Sequence, residues 1–413
     1  MREGGLPEDR SGCSSILSRA GEGAGIRAES FHAPSSQLTA GNLARLPMYL
    51  VSGLKYHLAG RLYTPKPLYV TFRVTRRCNS RCVMCSDWKR RGDDPELTLP
   101  QTREIFGNPL FDSVQKFALS GGEPTLRDDL VELADTSLAC LPKLRSLALL
   151  TNGLDPDLVA GKVEGLLRLP RTANLETLSV SVSIDGYGDD HQRIRRVPGA
   201  FGKVTETLRR LTDLQRERPF YLCATCVVQP RNVKGLVRLS EFCEQIGIPV
   251  TFVPVYVSDF FVEDPVSQAS LTLSEVEVSE LKSVFHRYLE ARLTPSNVPF
   301  WREYFDIVAG RRRQTPCFLS RHYIGLDSDG TMYLCPADGS LVYGSALHAA
   351  PDQLWYSDQA DRMRDRVEKE YCPSCTICCD SAFCLRQEFF FYAQFLVKER
   401  IGKLLRRTAD GGG

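Results

Sequence analysis

Between residues 69 and 257 the chain switches repeatedly between two hydrophobic periods. Short β-branched runs, "YVTFRVT", "KFALS", "LALLT", "TLSVSVSID", "YLCATCVVQ" and "VTFVPVYV", alternate with stretches of helical spacing. Examples of the latter are "RDDLVELADTSL", "DPDLVAGKVEGLLRL", "FGKVTETLRRLTDLQRE" and "KGLVRLSEFCEQIG". Strands separated by helices pair in parallel through right-handed crossovers. Six such repeats fall short of the eight that close a TIM barrel. The expectation is an α/β fold, a partial (β/α)6 barrel of TIM type, with its chemistry at the C-terminal ends of the strands.

The first of these runs leads directly into "RRCNSRCVMC", which sets Cys78, Cys82 and Cys85 at a C-x3-C-x2-C spacing. A structural zinc site needs a fourth ligand, and the next cysteine is Cys140. Three thiolates suit three irons of a cubane [4Fe–4S] cluster, whereas a cluster used only for electron transfer takes four. The fourth iron then stays open to a substrate or cofactor, as the open position does in catalytic zinc sites. Fifteen cysteines in a 413-residue chain with no apolar signal segment point to the reducing cytosol, where clustered thiols hold metals rather than pair. A net charge of +2 gives no field suited to nucleic acid, and no run is long and apolar enough for a transmembrane segment.

Further motifs stand at the ends of the next runs: "SGGEP" (Ser120 to Pro124), "LLTNG" and "SVSIDG". Together with the cysteine loop they resemble the signatures of the radical S-adenosylmethionine (SAM) superfamily. The resemblance implies that Cys78, Cys82 and Cys85 ligate a [4Fe–4S] cluster whose open iron binds SAM. It also implies that Gly121, Gly122 and Glu123 meet the ammonium group of SAM, glycine allowing close backbone approach and the carboxylate complementing a cation. Asn152, Ser183 and Asp185 become candidates to contact SAM or substrate, although Asn-Gly and Asp-Gly are also ordinary turn dipeptides. "HQRIRRVPGAFGKV" is similar to the segment whose arginine pairs with SAM's carboxylate, here Arg195 or Arg196. The family often has an aromatic residue before the last cysteine; this chain has Met84.

A second cysteine set lies further on. Cys317 and Cys335 are separated by seventeen residues that include "YIGLDSDGTMYL", read as a hairpin turning at Asp329-Gly330. "CPSCTICCDSAFC" then supplies Cys372, Cys375, Cys378, Cys379 and Cys384. This arrangement resembles the SPASM/twitch extension of radical SAM enzymes, which carries auxiliary clusters. The match is partial, because Ser381 stands where a full SPASM domain has a cysteine. The resemblance implies one auxiliary [4Fe–4S] cluster on Cys317, Cys335, Cys372 and Cys375. Cys378, Cys379 or Cys384 is an alternative ligand, and a zinc ribbon on the same four thiolates is the competing reading.

The expected order is a loosely attached tail (1–38), an amphipathic helix (39–66), the partial barrel (67–300), the auxiliary-cluster domain (301–395) and a C-terminal helix end and tail (396–413). Cys223 and Cys226 form a C-x2-C inside a strand, where residues three apart face opposite ways, so they read as buried apolar groups. "RRRQ" at 311 reads as a solvated loop. The resemblance implies reductive cleavage of SAM to a 5′-deoxyadenosyl radical and hydrogen abstraction, for oxidation or bond formation on a peptide or small molecule. A dehydrogenase of sugar or aminocyclitol alcohols is an alternative, and a non-catalytic iron–sulfur carrier is an alternative of another class. The partners implied are the substrate and an external one-electron reductant such as flavodoxin or ferredoxin. No catalytic residue is identified; Asp185 and Asp338 are candidate bases on chemistry alone.

Overall fold

The computed structural model describes residues 64–89, 94–289, 297–315, 317 and 319–377. The expected tail, both expected terminal helices, Cys378, Cys379 and Cys384 lie outside these residues, apart from the last few positions before 67.

Six strands, β1 (Tyr69–Thr75), β2 (Lys116–Gly121), β3 (Ser146–Thr151), β4 (Thr177–Ser183), β5 (Tyr221–Val228) and β6 (Val250–Pro254), pair in parallel in sequential order. The barrel is open between β6 and β1. Its connections carry α1 (Leu99–Phe106), α2 (Leu130–Ala139), α3 (Pro156–Arg168), α4 (Asp189–Arg195), α5 (Ala200–Glu217) and α6 (Leu236–Gln245).

The two faces of the sheet differ sharply. Outward-facing Val70, Phe72, Leu119, Val180, Val182 and Ala224 are buried in one continuous core under the helices. The inner face aligns Thr71, Ala118, Ala148, Ser179 and Tyr221 in register across five strands. Closed TIM barrels fill this layer with bulky branched residues; here it is mostly small or hydroxyl-bearing. Cys223 pairs across to Ser181 on this inner face, while Cys226 is in the outer core and fully buried.

The sheet does not stop at β1. Strand β7 (Tyr323–Leu326) pairs with β1 in parallel, and β8 (Thr331–Tyr333) and β9 (Val342–Ser345) follow antiparallel, making nine strands. The hairpin predicted between Cys317 and Cys335 is therefore continuous with the barrel sheet instead of forming a detached small sheet. An unclosed barrel leaves the edge of β1 unpaired, and β7 covers it. The turn closes through Asp327 N–H donating to Thr331 O at 2.9 Å, with Gly330 at φ +83°.

Candidate active site

The cysteine loop leaves the C-terminal end of β1 and is pinned from two sides. Gly122 N–H donates to Thr75 O and Glu123 N–H to Arg77 O, each at 2.8 Å. A Cβ on Gly121 would lie 2.2 Å from Thr75 O, and one on Gly122 would lie 2.3 Å from Arg77 O. In this structure the two glycines let β2 close onto the loop backbone. On the other side the last carbonyls of α4 accept from the loop: Arg81 N–H reaches Arg195 O and Val83 N–H reaches Ile194 O, both at 3.0 Å.

The three thiols face polar donors. Cys78 Sγ accepts from Ser80 N–H at 3.4 Å and lies 3.8 Å from Asn152 Nδ2. Cys82 Sγ is 3.4 Å from Arg195 Nη1 and 3.0 Å from Ser80 Oγ. Burial pushes the Cys78 thiol up to about 12 and also raises Cys85, so free thiolates are disfavoured until a metal replaces the protons. Among the described residues no three His, Cys, Asp or Glu side chains converge on a point that a single ion could occupy. Three thiols on one loop, with N–H donors toward sulfur, fit a cluster bound through three irons.

The other predicted residues surround this loop in different ways. Glu123 is 1% exposed; Oε1 accepts from Thr125 N–H, Thr125 Oγ1 and Thr151 Oγ1, and Oε2 accepts from Asn152 N–H at 2.6 Å. The carboxylate thus ties the ends of β2 and β3 together. Asn152 Nδ2 donates to Asn79 Oδ1 at 2.7 Å. Asp185 is fully buried: Oδ1 accepts from Val227 N–H at 2.9 Å, and Oδ2 ion-pairs with Arg195 Nε at 2.7 Å. That closure removes it as an accessible base. Between the two arginines the structure separates roles, since Arg195 is buried at Cys82 while Arg196 is exposed at φ +54°. Ser183 stands half-buried at the end of β4, on the inner face. Asp338 accepts from Ser340 N–H and from Tyr371 Oη at 2.6 Å, and the Ser340 hydrogen bonds lead in holding it below its usual range.

A charged knot went unread in the sequence. Arg73, on the inner face of β1, pairs with Asp87 at 2.5 Å and with Asp327 at 3.1 Å; Arg76 Nε also donates to Asp327 Oδ1 at 3.0 Å. Asp87 Oδ2 is 3.8 Å from Cys85 Sγ, so the knot joins the cysteine loop to the end of β7. An arginine inside a β-branched run was the available signal.

The second cysteine set assembles as well. Cys317, Cys335, Cys372 and Cys375 line one small cavity that opens partly to solvent, together with Arg313, Leu319, Ala337, Val367, Tyr371 and Ile377. The hydrogen bond between Cys317 and Cys372 leads in lowering the Cys317 thiol and in raising that of Cys372. Ile377 N–H donates to Cys375 Sγ at 3.4 Å. Four thiols around one cavity fit a fully ligated cluster.

Residues 72–243 match the family model of the radical SAM superfamily, and residues 317–379 match SPASM, an iron–sulfur cluster-binding domain. Among curated proteins, the chain is 33% identical over 186 residues to pre-heme d1 synthase of Dinoroseobacter shibae, covering 45% of this chain and 42% of that protein. It is 28% identical over 216 residues to a GTP 3′,8-cyclase of Synechococcus elongatus, covering 49% and 61%. The matches thus span about half the length of these curated relatives. Among solved structures, anSMEcpe with bound AdoMet aligns with a TM-score of 0.53 at 15% identity, over 82% of this chain and all of that one. Streptococcus suis SuiB bound to precursor peptide SuiA gives 0.52 at 14%, over 84% and 75%. Those likenesses establish the fold. The radical SAM domain implies a [4Fe–4S] cluster and SAM, and the SPASM domain implies auxiliary iron–sulfur clusters. An open barrel with a three-cysteine loop at its first strand is followed by a pocket lined by four cysteines, and with both domain models matched over these parts the chain belongs to the radical SAM superfamily, with a SPASM domain following its barrel.

Proposed function

We propose that this protein abstracts a hydrogen atom from a peptide or small natural-product precursor and completes an oxidation or bond formation. In this reading a cluster sits on Cys78, Cys82 and Cys85, and an auxiliary cluster on Cys317, Cys335, Cys372 and Cys375. The observation that carries it is the three-thiol loop opening onto a small, polar inner wall. When bound, the cluster and SAM supply one-electron cleavage of the sulfonium and the 5′-deoxyadenosyl radical that removes the hydrogen atom.

The chain's own residues hold and shield that chemistry. Arg195, braced by Asp185, keeps a positive charge beside Cys82, suited to SAM's carboxylate. Glu123 acts through Asn152, fixing its backbone so that the side-chain amide points at Cys78 and Asn79. Gly121 and Gly122 keep the loop against β2, and Ser183 offers a hydroxyl at the end of β4. A substrate filling the inner space excludes water from the reacting atoms. The four-thiol cavity supports net oxidation, because a second redox group can take the electron that the substrate radical releases while a proton leaves to solvent.

The test is anaerobic reconstitution, reduction with dithionite and addition of SAM, with 5′-deoxyadenosine read by mass spectrometry. The wild-type chain should form it and Cys82→Ala should not. A fully loaded protein that forms none would be an electron carrier instead.

A further inference from the structure

We propose that Arg313 makes the auxiliary site an electron acceptor: its buried guanidinium stabilises the added negative charge of a four-thiolate cluster on reduction. Arg311 and Arg312 are exposed, as a solvated loop requires, but Arg313 turns inward with a side chain 10% exposed and lines the four-cysteine cavity. Hydrogen bonds to the backbone hold it there. Its backbone N–H donates to Pro373 O at 2.8 Å, Nε donates to Thr315 O at 2.9 Å, and Nη1 reaches Cys375 O at 3.5 Å. The guanidinium therefore lies against the Cys372–Cys375 turn, inside the ring of four thiols that lines the cavity.

Net charge, hydrogen bonds and exposure set cluster potentials, so a buried cation favours the reduced state. Two carboxylates oppose it. Glu303 Oε2 is 3.9 Å from Arg313 Nε, while its Oε1 accepts from Gln314 N–H and Thr315 N–H. Asp338 approaches the cavity through Tyr371, which donates to it at 2.6 Å.

The inference rests on the proposed cluster on Cys317, Cys335, Cys372 and Cys375. In the full-length chain carrying Cys78→Ala, Cys82→Ala and Cys85→Ala, iron and sulfide analysis tests that reading separately: zinc without sulfide would remove it. With one cluster present, a redox titration followed by electron paramagnetic resonance tests Arg313. Arg313→Gln should shift the midpoint to more negative potential, Arg313→Lys should restore most of the shift, and Glu303→Gln should move it upward. Potentials unchanged in all three variants, with iron and sulfide intact, would overturn the proposal. Should Arg313→Gln fail to load a cluster, Glu303→Gln decides by itself, an upward shift supporting the role of charge and no shift refuting it.

Discussion

At Gly121 and Gly122 a short motif carries a packing role beside the one its residue types suggest. The sequence marks them as glycines beside a ligand, and the structure has them pressed against Thr75 O and Arg77 O. A methyl group at Gly122 cannot fit without moving the cysteine loop. Gly122→Ala should therefore lose the iron and sulfide of one cubane while the auxiliary site still loads, as measured by iron and sulfide analysis beside the wild type. Glu123 follows the same logic. Its four donors need an acceptor at each oxygen, and a glutamine would turn an N–H₂ toward at least one of them. Glu123→Gln should cost about 1–3 kcal/mol in chemical unfolding, the usual penalty for unmatched buried donors. The positions of Cys78, Cys82 and Cys85 were legible because a spacing records ligand geometry directly. Arg73 and Arg313 were not, because a lone arginine carries no record of which way its side chain turns.

At the level of elements, the alternating pattern gave the six barrel strands and most of their helices, since each strand's outward face must meet an apolar helix. Helix α1 was missed, although Thr98 and Gln101 form a reciprocal capping box at its start. The pairing of β7 with β1 could not be read, because strand partners more than two hundred residues apart leave no local trace. What fixes that junction besides its ladder is Asp327, which accepts from both Arg73 and Arg76. Its side chain is 4% exposed and that of Arg73 is 10% exposed, so the cluster of charge is desolvated. Asp327→Asn leaves buried Arg73 with Asp87 alone and takes a carboxylate from half-buried Arg76, and should destabilise the fold by about 3 kcal/mol. Urea unfolding followed by tryptophan fluorescence measures this, and a change below about 1 kcal/mol would mean the knot is dispensable.

Over the whole molecule, two buried histidines set how stability responds to acid. His191 is fully buried and its Nδ1 accepts from Asp185 N–H at 3.0 Å; burial and then the nearby Arg195 charge lower it from 6.5 to about 3. His322, 7% exposed, is lowered from 6.5 to about 4, again chiefly by burial. Both stay neutral in the folded chain between these values and 6.5, while the unfolded chain takes up protons. A state that binds more protons gains as pH falls, so the unfolded state gains and stability drops on acidification through 6.5. Between pH 7.5 and 5.5 each histidine contributes about 1.4 kcal/mol to that loss, about 3 kcal/mol together. His191→Gln keeps an acceptor for Asp185 N–H but cannot titrate, so it should remove about half of this pH dependence. Anaerobic urea unfolding of both proteins at the two pH values makes the comparison. Equal slopes for the two proteins would mean that His191 is protonated, or exposed, in the folded state.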